Sequence, residues 1–239
     1  MKLIVCDFDG TYYTDEENIS LNNQCIKNLR YKNNIFMLSS GRSFKSLKEM
    51  TKKYNIEYDY LSCCDGSIIY DNEDRIIKKF ILNEKILNEF LKLKDYCQIE
   101  RIQFSYPDEY YNNQKNDTLI GCNFVIKNEL INSKFLKEFT TLKRKYKSYD
   151  FLEYSHDDVT FFCLKNKGIN KSSTIKILQD LLNIAYHDIY VFGDNENDYP
   201  MLKNYQSFYV GKVNDKIKKV CLKGCNQVYE ILNDIQKNG

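Results

Sequence analysis

Short apolar runs alternate with amphipathic stretches over the first sixty residues. Leu3-Ile4-Val5-Cys6 ends on Asp7, with Gly10 close behind. That is the pattern of a buried strand delivering a carboxylate to the end of a sheet. Ser20 to Tyr31 repeats apolar residues at helical spacing (Leu21, Cys25, Ile26, Leu29), with Ser20 as its cap. Residues 34–39 form a second apolar run, Ser43 to Tyr54 is again amphipathic, and Tyr60 to Cys64 is a third run. A β-α-β-α-β rhythm of this kind predicts a parallel sheet with helices on its faces. Ser67 to Tyr70, the polar turn 71–74 and Arg75 to Ile81 then read as a hairpin.

The pattern changes between about Leu82 and Lys165. A helix is predicted over Glu84 to Tyr96, strands near 99–105 and 119–127, a helix over Ser133 to Tyr146, and strands near 149–154 and 159–164. Such a mixture predicts an α+β insert with an antiparallel sheet. After Gly168 the first rhythm returns: helix 171–182, strand 189–192, a short helix from Pro200, strand 207–210 and a terminal helix 227–235. The expected fold class is therefore α/β, a Rossmann-like parallel core made of residues 1–81 and 166–239, interrupted by an α+β domain at 82–165. No internal repeat or low-complexity linker is visible.

Composition adds mainly exclusions. A length of 239 residues suits one large domain, or a core plus a smaller insert, and 43% hydrophobic residues are enough for a packed interior. A net charge of +2 gives no reason to expect nucleic acid or an anionic membrane as partner. The start Met-Lys-Leu-Ile-Val does not develop into a signal peptide, because Asp7 and Asp9 break the apolar run. No run reaches the length of a membrane span. The nine cysteines contain no Cys-x-x-Cys and sit mostly in apolar runs, as expected of reduced thiols in the cytoplasm. His156 and His187 are too few and too far apart for a metal cluster.

Four segments carry candidate chemistry. Asp7-Phe8-Asp9-Gly10-Thr11 follows the first strand, and its turning chain lets two carboxylates flank one reacting atom; by itself it also fits a solvated turn. Ser39-Ser40-Gly41-Arg42 lies between a strand and a helix, where a hydroxyl and backbone N–H groups can meet an anion. Ser40 could equally be a plain helix cap there. Lys171 opens a helix, where a cation opposes the helix dipole, so either nearby anions explain it or it is a surface lysine. Gly193-Asp194-Asn195-Glu196-Asn197-Asp198 again places acids at the end of an apolar strand, at the edge where open α/β sheets bind ligands. Convergence of Asp7, Asp9, Asp194 and Asp198 would concentrate like charge. An oxygen-coordinated hard cation such as Mg²⁺ relieves it.

Taken together, these motifs resemble those of the haloacid dehalogenase-like phosphohydrolases, and within them the Cof-type branch, which carries a large α/β cap. The matching residues are Asp7 to Thr11, Ser40-Gly41-Arg42, Lys171, and Gly193 to Asp198 followed by Pro200-Met201-Leu202. The resemblance implies that Asp7 is a nucleophile forming an aspartyl-phosphate and that Asp9 is the acid/base group. It further implies that Ser40, Gly41, Arg42, Lys171 and Asn197 bind phosphate or substrate, Lys171 also being catalytic. Mg²⁺ would be held by Asp7, the Asp9 backbone carbonyl and Asp194, with Asp198 behind them or acting through water.

The activity so implied is Mg²⁺-dependent hydrolysis of phosphate monoesters of small metabolites such as sugar phosphates. A phosphomutase or phosphotransferase is the alternative, and a non-catalytic binding or regulatory protein a more distant one. The expected partner is a small phosphorylated metabolite, with the chain a monomer or weak homodimer and the insert a lid. Three features depart from the family pattern or stand outside it. Tyr12-Tyr13 replace an aliphatic pair, Asp65 stands where the family has asparagine, and the insert of roughly 80 residues is short for the branch. Within it Tyr106, Asp108, Tyr110 and Tyr111 either face a sugar or ring or serve packing.

Overall fold

The computed structural model describes residues 1–106, 110–111 and 118–237. In chain order its main elements are β1 (Leu3–Asp7), α1 (Glu16–Tyr31), β2 (Ile35–Ser39), α2 (Phe44–Lys53), β3 (Tyr60–Cys63), β4 (Ile68–Asp71) and β5 (Ile76–Lys79). Then come α3 (Glu84–Leu91), β6 (Arg101–Ser105), β7 (Tyr110–Tyr111), β8 (Gly121–Lys127), α4 (Ser133–Lys145), β9 (Tyr149–His156) and β10 (Val159–Asn166). The chain ends with α5 (Lys171–Leu182), β11 (Ile189–Gly193), α6 (Tyr199–Asn204), β12 (Gln206–Val210), α7 (Asp215–Lys218), β13 (Lys223–Cys225) and α8 (Val228–Lys237). It divides into two compact units, Met1–Lys78 with Asn170–Gly239, and Lys79–Ile169.

The first unit is built on an eight-stranded sheet in the order β13-β12-β11-β1-β2-β3-β4-β5. β1 pairs in parallel with both β2 and β11, and only the hairpin strand β4 turns antiparallel, against β3. Strands buried on both faces need continuous apolar runs. Leu3 and Val5 pack with Ile175, Leu178 and Met201 from α5 and α6, while Ile4 and Phe36, which point the other way, are equally buried. The strand order reverses at β1, since the chain continues to β2 on one side and returns as β11 on the other. That switch point is where an open α/β sheet leaves a crevice at its strand ends.

The second unit has a five-stranded antiparallel sheet in the order β7-β6-β8-β10-β9, with its own aromatic core. Phe90 of α3 stacks on Phe124 at 4.6 Å between ring centres. Phe162 meets Phe135 and Phe139 of α4 edge-on at 4.8 and 5.0 Å, the geometry aromatic quadrupoles favour. Tyr106, read as a candidate sugar-facing residue, is buried in this core. Asp108 and the side chains of Tyr110 and Tyr111 lie outside the described residues.

Several elements differ from the sequence pattern. α1 starts four residues earlier than its apolar spacing indicates, because Asp15 caps it by accepting the Asn18 N–H at 2.9 Å and Glu16 and Glu17 favour the dipole. α3 stops at Leu91, and residues 92–95 tighten into a 3₁₀ turn. α7 and β13 were not anticipated, being only four and three residues long and without a periodic apolar pattern. β13 depends on a glycine: a Cβ at Gly224 would fall 2.1 Å from the Tyr209 ring of β12. None of the nine cysteines is in a disulfide, and no helix among the described residues is long and apolar enough to cross a membrane.

Candidate active site

Every motif segment singled out in the sequence belongs to the first unit and ends a strand or begins a helix at the switch point. Asp7 is the last residue of β1, aligned with Ser39 of β2, and is 5% exposed. The chain then folds into a tight loop in which Tyr12 and Tyr13 N–H groups donate to the carbonyls of Asp7 and Phe8, at 3.1 and 2.9 Å. Gly10 adopts φ +83°, and a Cβ there would lie 2.6 Å from Asp194 Oδ2. Only glycine meets both conditions. Thr11, whose role the sequence did not reveal, donates its hydroxyl to Asp194 Oδ1 at 2.6 Å and so ties the loop to the end of β11. The motif itself was the available signal, since its hydroxyl sits two residues beyond an acid.

Lys171 is the first residue of α5, whose N-terminus is capped by Asn170 and Ser173 reciprocally. Its side chain is fully buried, and Nζ donates to Asp7 Oδ1 at 2.5 Å and to Asp198 Oδ1 at 2.6 Å. This answers the question its position posed, because two carboxylates repay both the dipole and the desolvation. Burial pulls the ammonium toward deprotonation, but Asp7 and Asp198 outweigh it and the net shift is upward, so Lys171 is a cation. Asp198, fully buried, has both oxygens engaged by the protein. Oδ1 holds Lys171, and Oδ2 accepts the backbone N–H groups of Asp194 and Asn195, each at 3.0 Å. It fixes the turn that presents Asp194.

Ser40 is 1% exposed and does not cap α2; Ser43 does. The Ser40 hydroxyl accepts the Arg42 N–H at 3.1 Å, while its own N–H donates to the Ser62 carbonyl. Arg42, expected on substrate phosphate, is engaged with Asp9 through two parallel bonds: Nε to Oδ2 and Nη2 to Oδ1, both 2.8 Å. Its guanidinium also lies over the Phe8 ring at 5.5 Å. Asp9, about half exposed, therefore does not bring its side chain to the Asp7, Asp194 and Asp198 group. Asn197, exposed, donates to Asp65 Oδ1 at 3.3 Å.

Ligand atoms of Asp7, Asp194 and Asp198 all lie within 4.8 Å of one another. Asp7 and Asp194 are within hydrogen-bonding reach of each other, a contact two ionised carboxylates make only with a proton or cation between them. Burial first, and the neighbouring acids after it, push the Asp7 carboxyl up against the pull of Lys171. Asp194 moves the same way, again chiefly through burial. One ammonium does not balance two buried acids and a half-buried third. The donor set, hard oxygens with too little positive charge, fits a divalent cation.

A parallel sheet with an acid at the end of β1, a lysine anchored on it and an acidic turn after β11 defines a class. Residues 4–164 and 123–230 match the haloacid dehalogenase-like hydrolase family, and the chain belongs to that family, in its Cof-type branch of phosphoric monoester hydrolases. Among its relatives, a protein of Mycoplasma capricolum subsp. capricolum is 29% identical over 264 residues, covering 96% of this chain and 98% of the relative. A 5-amino-6-(5-phospho-D-ribitylamino)uracil phosphatase of Bacillus subtilis is 24% identical over 208 residues, covering 85% and 80%. A haloacid dehalogenase-like hydrolase from Bacteroides thetaiotaomicron shares the fold with a TM-score of 0.78 at 17% identity, over 98% of this chain and 99% of that one.

Proposed function

We propose that the protein is a Mg²⁺-dependent phosphatase of small phosphorylated metabolites, sugar phosphates or related esters, working through an aspartyl-phosphate. The observation that carries this reading is Asp7, a buried carboxylate at a sheet end with Oδ1 held by Lys171 and with Asp194 within reach; we assign attack to its other oxygen. Mg²⁺ held by Asp7 and Asp194, with the Asp9 carbonyl, supplies charge neutralisation for the acids and the phosphoryl oxygens. Lys171 fixes Asp7 Oδ1 and adds positive charge where the phosphoryl group passes. Attack by the Asp7 oxygen that Lys171 does not hold forms the acyl-phosphate bond as the ester P–O bond breaks. Asp9 protonates the departing oxygen, for which its carboxylate must exchange Arg42 for the substrate, and then takes the proton of the water that cleaves the acyl-phosphate. Ser40, the Gly41 backbone and Asn197 hold phosphate oxygens.

The 79–169 unit contains none of these groups, and we place the choice of leaving group there. The phosphoribityl substrate named for the Bacillus subtilis relative supports a phosphorylated polyol or sugar as the substrate class.

The test is a screen of phosphorylated metabolites with chelator-treated protein, with and without Mg²⁺, alongside Asp7→Asn. Turnover should require the metal and vanish in the isosteric variant, whose amide cannot attack phosphorus, while circular dichroism stays native. Full activity in chelator, or in Asp7→Asn, would overturn the mechanism.

A further inference from the structure

Asp65 is a carboxylate that the chemical step does not use. Cys64 and Asp65 both adopt left-handed backbone (φ 52° and 51°), followed by Gly66 at φ 94°. Non-glycine residues seldom take that conformation, and Asp and Asn are among those that tolerate it best. The turn is pinned where it stands: Cys64 N–H donates to the Arg42 carbonyl at 2.9 Å and Asp65 N–H to the Ser40 carbonyl at 3.1 Å. The Asp65 side chain is thereby locked beside the Ser40-Gly41-Arg42 segment. Both its oxygens lie 3.4 Å from where a Cβ on Gly41 would be. Oδ1 accepts from Asn197 Nδ2, and the carboxylate is close enough to contribute to the upward shift of Lys171. It thus stands against three groups assigned above to phosphate: Gly41, Asn197 and Lys171.

Asp7, Asp9, Asp65, Asp194 and Asp198 share this sheet edge with the cations Lys171 and Arg42, so negative charge is in excess. A divalent ion held by Asp7 and Asp194 would offset those acids, whereas Asp65 is not among the grouped acids and stands beside Gly41. Two like charges a few ångströms apart in a partly wet cleft repel by an amount that changes affinities about tenfold. Asn197, meanwhile, is oriented by the same carboxylate.

We infer that Asp65 is a residue that limits phosphate affinity: its carboxylate opposes bound phosphate at the Ser40-Gly41 turn, keeping ester binding weak and letting inorganic phosphate leave. This rests on the proposed phosphatase reading, since it needs phosphate at that turn.

The experiment compares full-length wild type, Asp65→Asn and Asp65→Glu, with Mg²⁺, measuring p-nitrophenyl phosphate hydrolysis and its inhibition by inorganic phosphate. Asparagine suits the left-handed backbone and keeps a side-chain oxygen for Asn197, so Asp65→Asn should fold. It should lower the inhibition constant for phosphate about tenfold and lower KM in the same direction, whereas Asp65→Glu, which keeps the charge, should retain weak inhibition. Unchanged or weaker phosphate inhibition in Asp65→Asn overturns the inference, as does equal tightening in both variants. A wild type that hydrolyses no phosphate ester would instead overturn the phosphatase reading, so the two failures are distinguishable.

Discussion

The two units bury their most constrained side chains for opposite reasons. In the 79–169 unit the packed centre is a set of phenylalanine rings, Phe90, Phe124, Phe135, Phe139, Phe151 and Phe162, which gain from leaving water and from meeting edge-on. In the other unit Asp7 at the end of β1, Lys171 at the start of α5 and Asp198 in the turn after β11 are all buried. Burying charge is costly even when it is paired, and replacing a buried ion pair by apolar groups often leaves a protein more stable. The aromatic centre stabilises its unit, whereas the charged centre draws on the stability of the sheet around it and returns chemistry. The buried acids therefore mark the site more sharply than any surface feature does.

Removing the cation should produce the largest effect. In Lys171→Met the Asp7 and Asp198 carboxylates lose the ammonium between them while staying buried, and Asp198 keeps only its two backbone N–H donors. Turnover should fall on the order of 100- to 1,000-fold, and the first unit should lose about 3–5 kcal/mol in urea unfolding. A variant as stable as wild type would mean that the pair is not what holds those acids in place.

The matching change in the aromatic centre should separate stability from chemistry. Phe162→Ala removes a fully buried ring that touches Phe135 and Phe139, and should cost about 3–5 kcal/mol. If the comparison holds, a two-transition unfolding profile will show the loss in one transition, and p-nitrophenyl phosphate hydrolysis per folded molecule will change far less than in Lys171→Met. Equal losses of catalysis in the two variants would erase the distinction.

The smallest effect contrasts two kinds of carboxylate within the first unit. Asp71 closes the turn between β4 and β5, accepting N–H groups of Glu73 and Arg75 and the Arg75 side chain at 2.7–3.0 Å. Burial works against its ionisation, yet these bonds outweigh it and hold the carboxyl below its ordinary value. A lowered carboxyl stabilises the fold above its unfolded-state pKa, and that contribution is lost as pH falls through the lower folded value. Asp7 and Asp194, both raised, have the opposite sign in metal-free protein, where their charge opposes folding at neutral pH and acidification relieves it. Asp71→Asn should therefore slightly lower Tm at pH 7 and make no difference in strong acid. Metal-free Asp7→Asn should raise Tm at pH 7, the gain shrinking as pH falls. Thermal denaturation in chelator at several pH values checks both signs, and a shift of the same sign in the two variants would refute the contrast.

The sequence by itself determined the parallel core, because strands buried on both faces must be continuously apolar and the helices between them must be amphipathic. It also picked out the charged groups that the fold brings together: Asp7, Lys171, Asp194 and Asp198 stand at strand ends or a helix start, where local pattern is strongest. It left Ser40 open between capping α2 and meeting an anion, and only the fold, by putting Ser43 on the cap, removed the first of these. It likewise could not show that Arg42 grips Asp9, that Thr11 holds Asp194, or that Asp65 leans on Gly41. Those contacts join residues 33, 183 and 24 positions apart along the chain. The strand order of the sheet decides which of these loops become neighbours, and nothing local to any one of the motifs encodes that order.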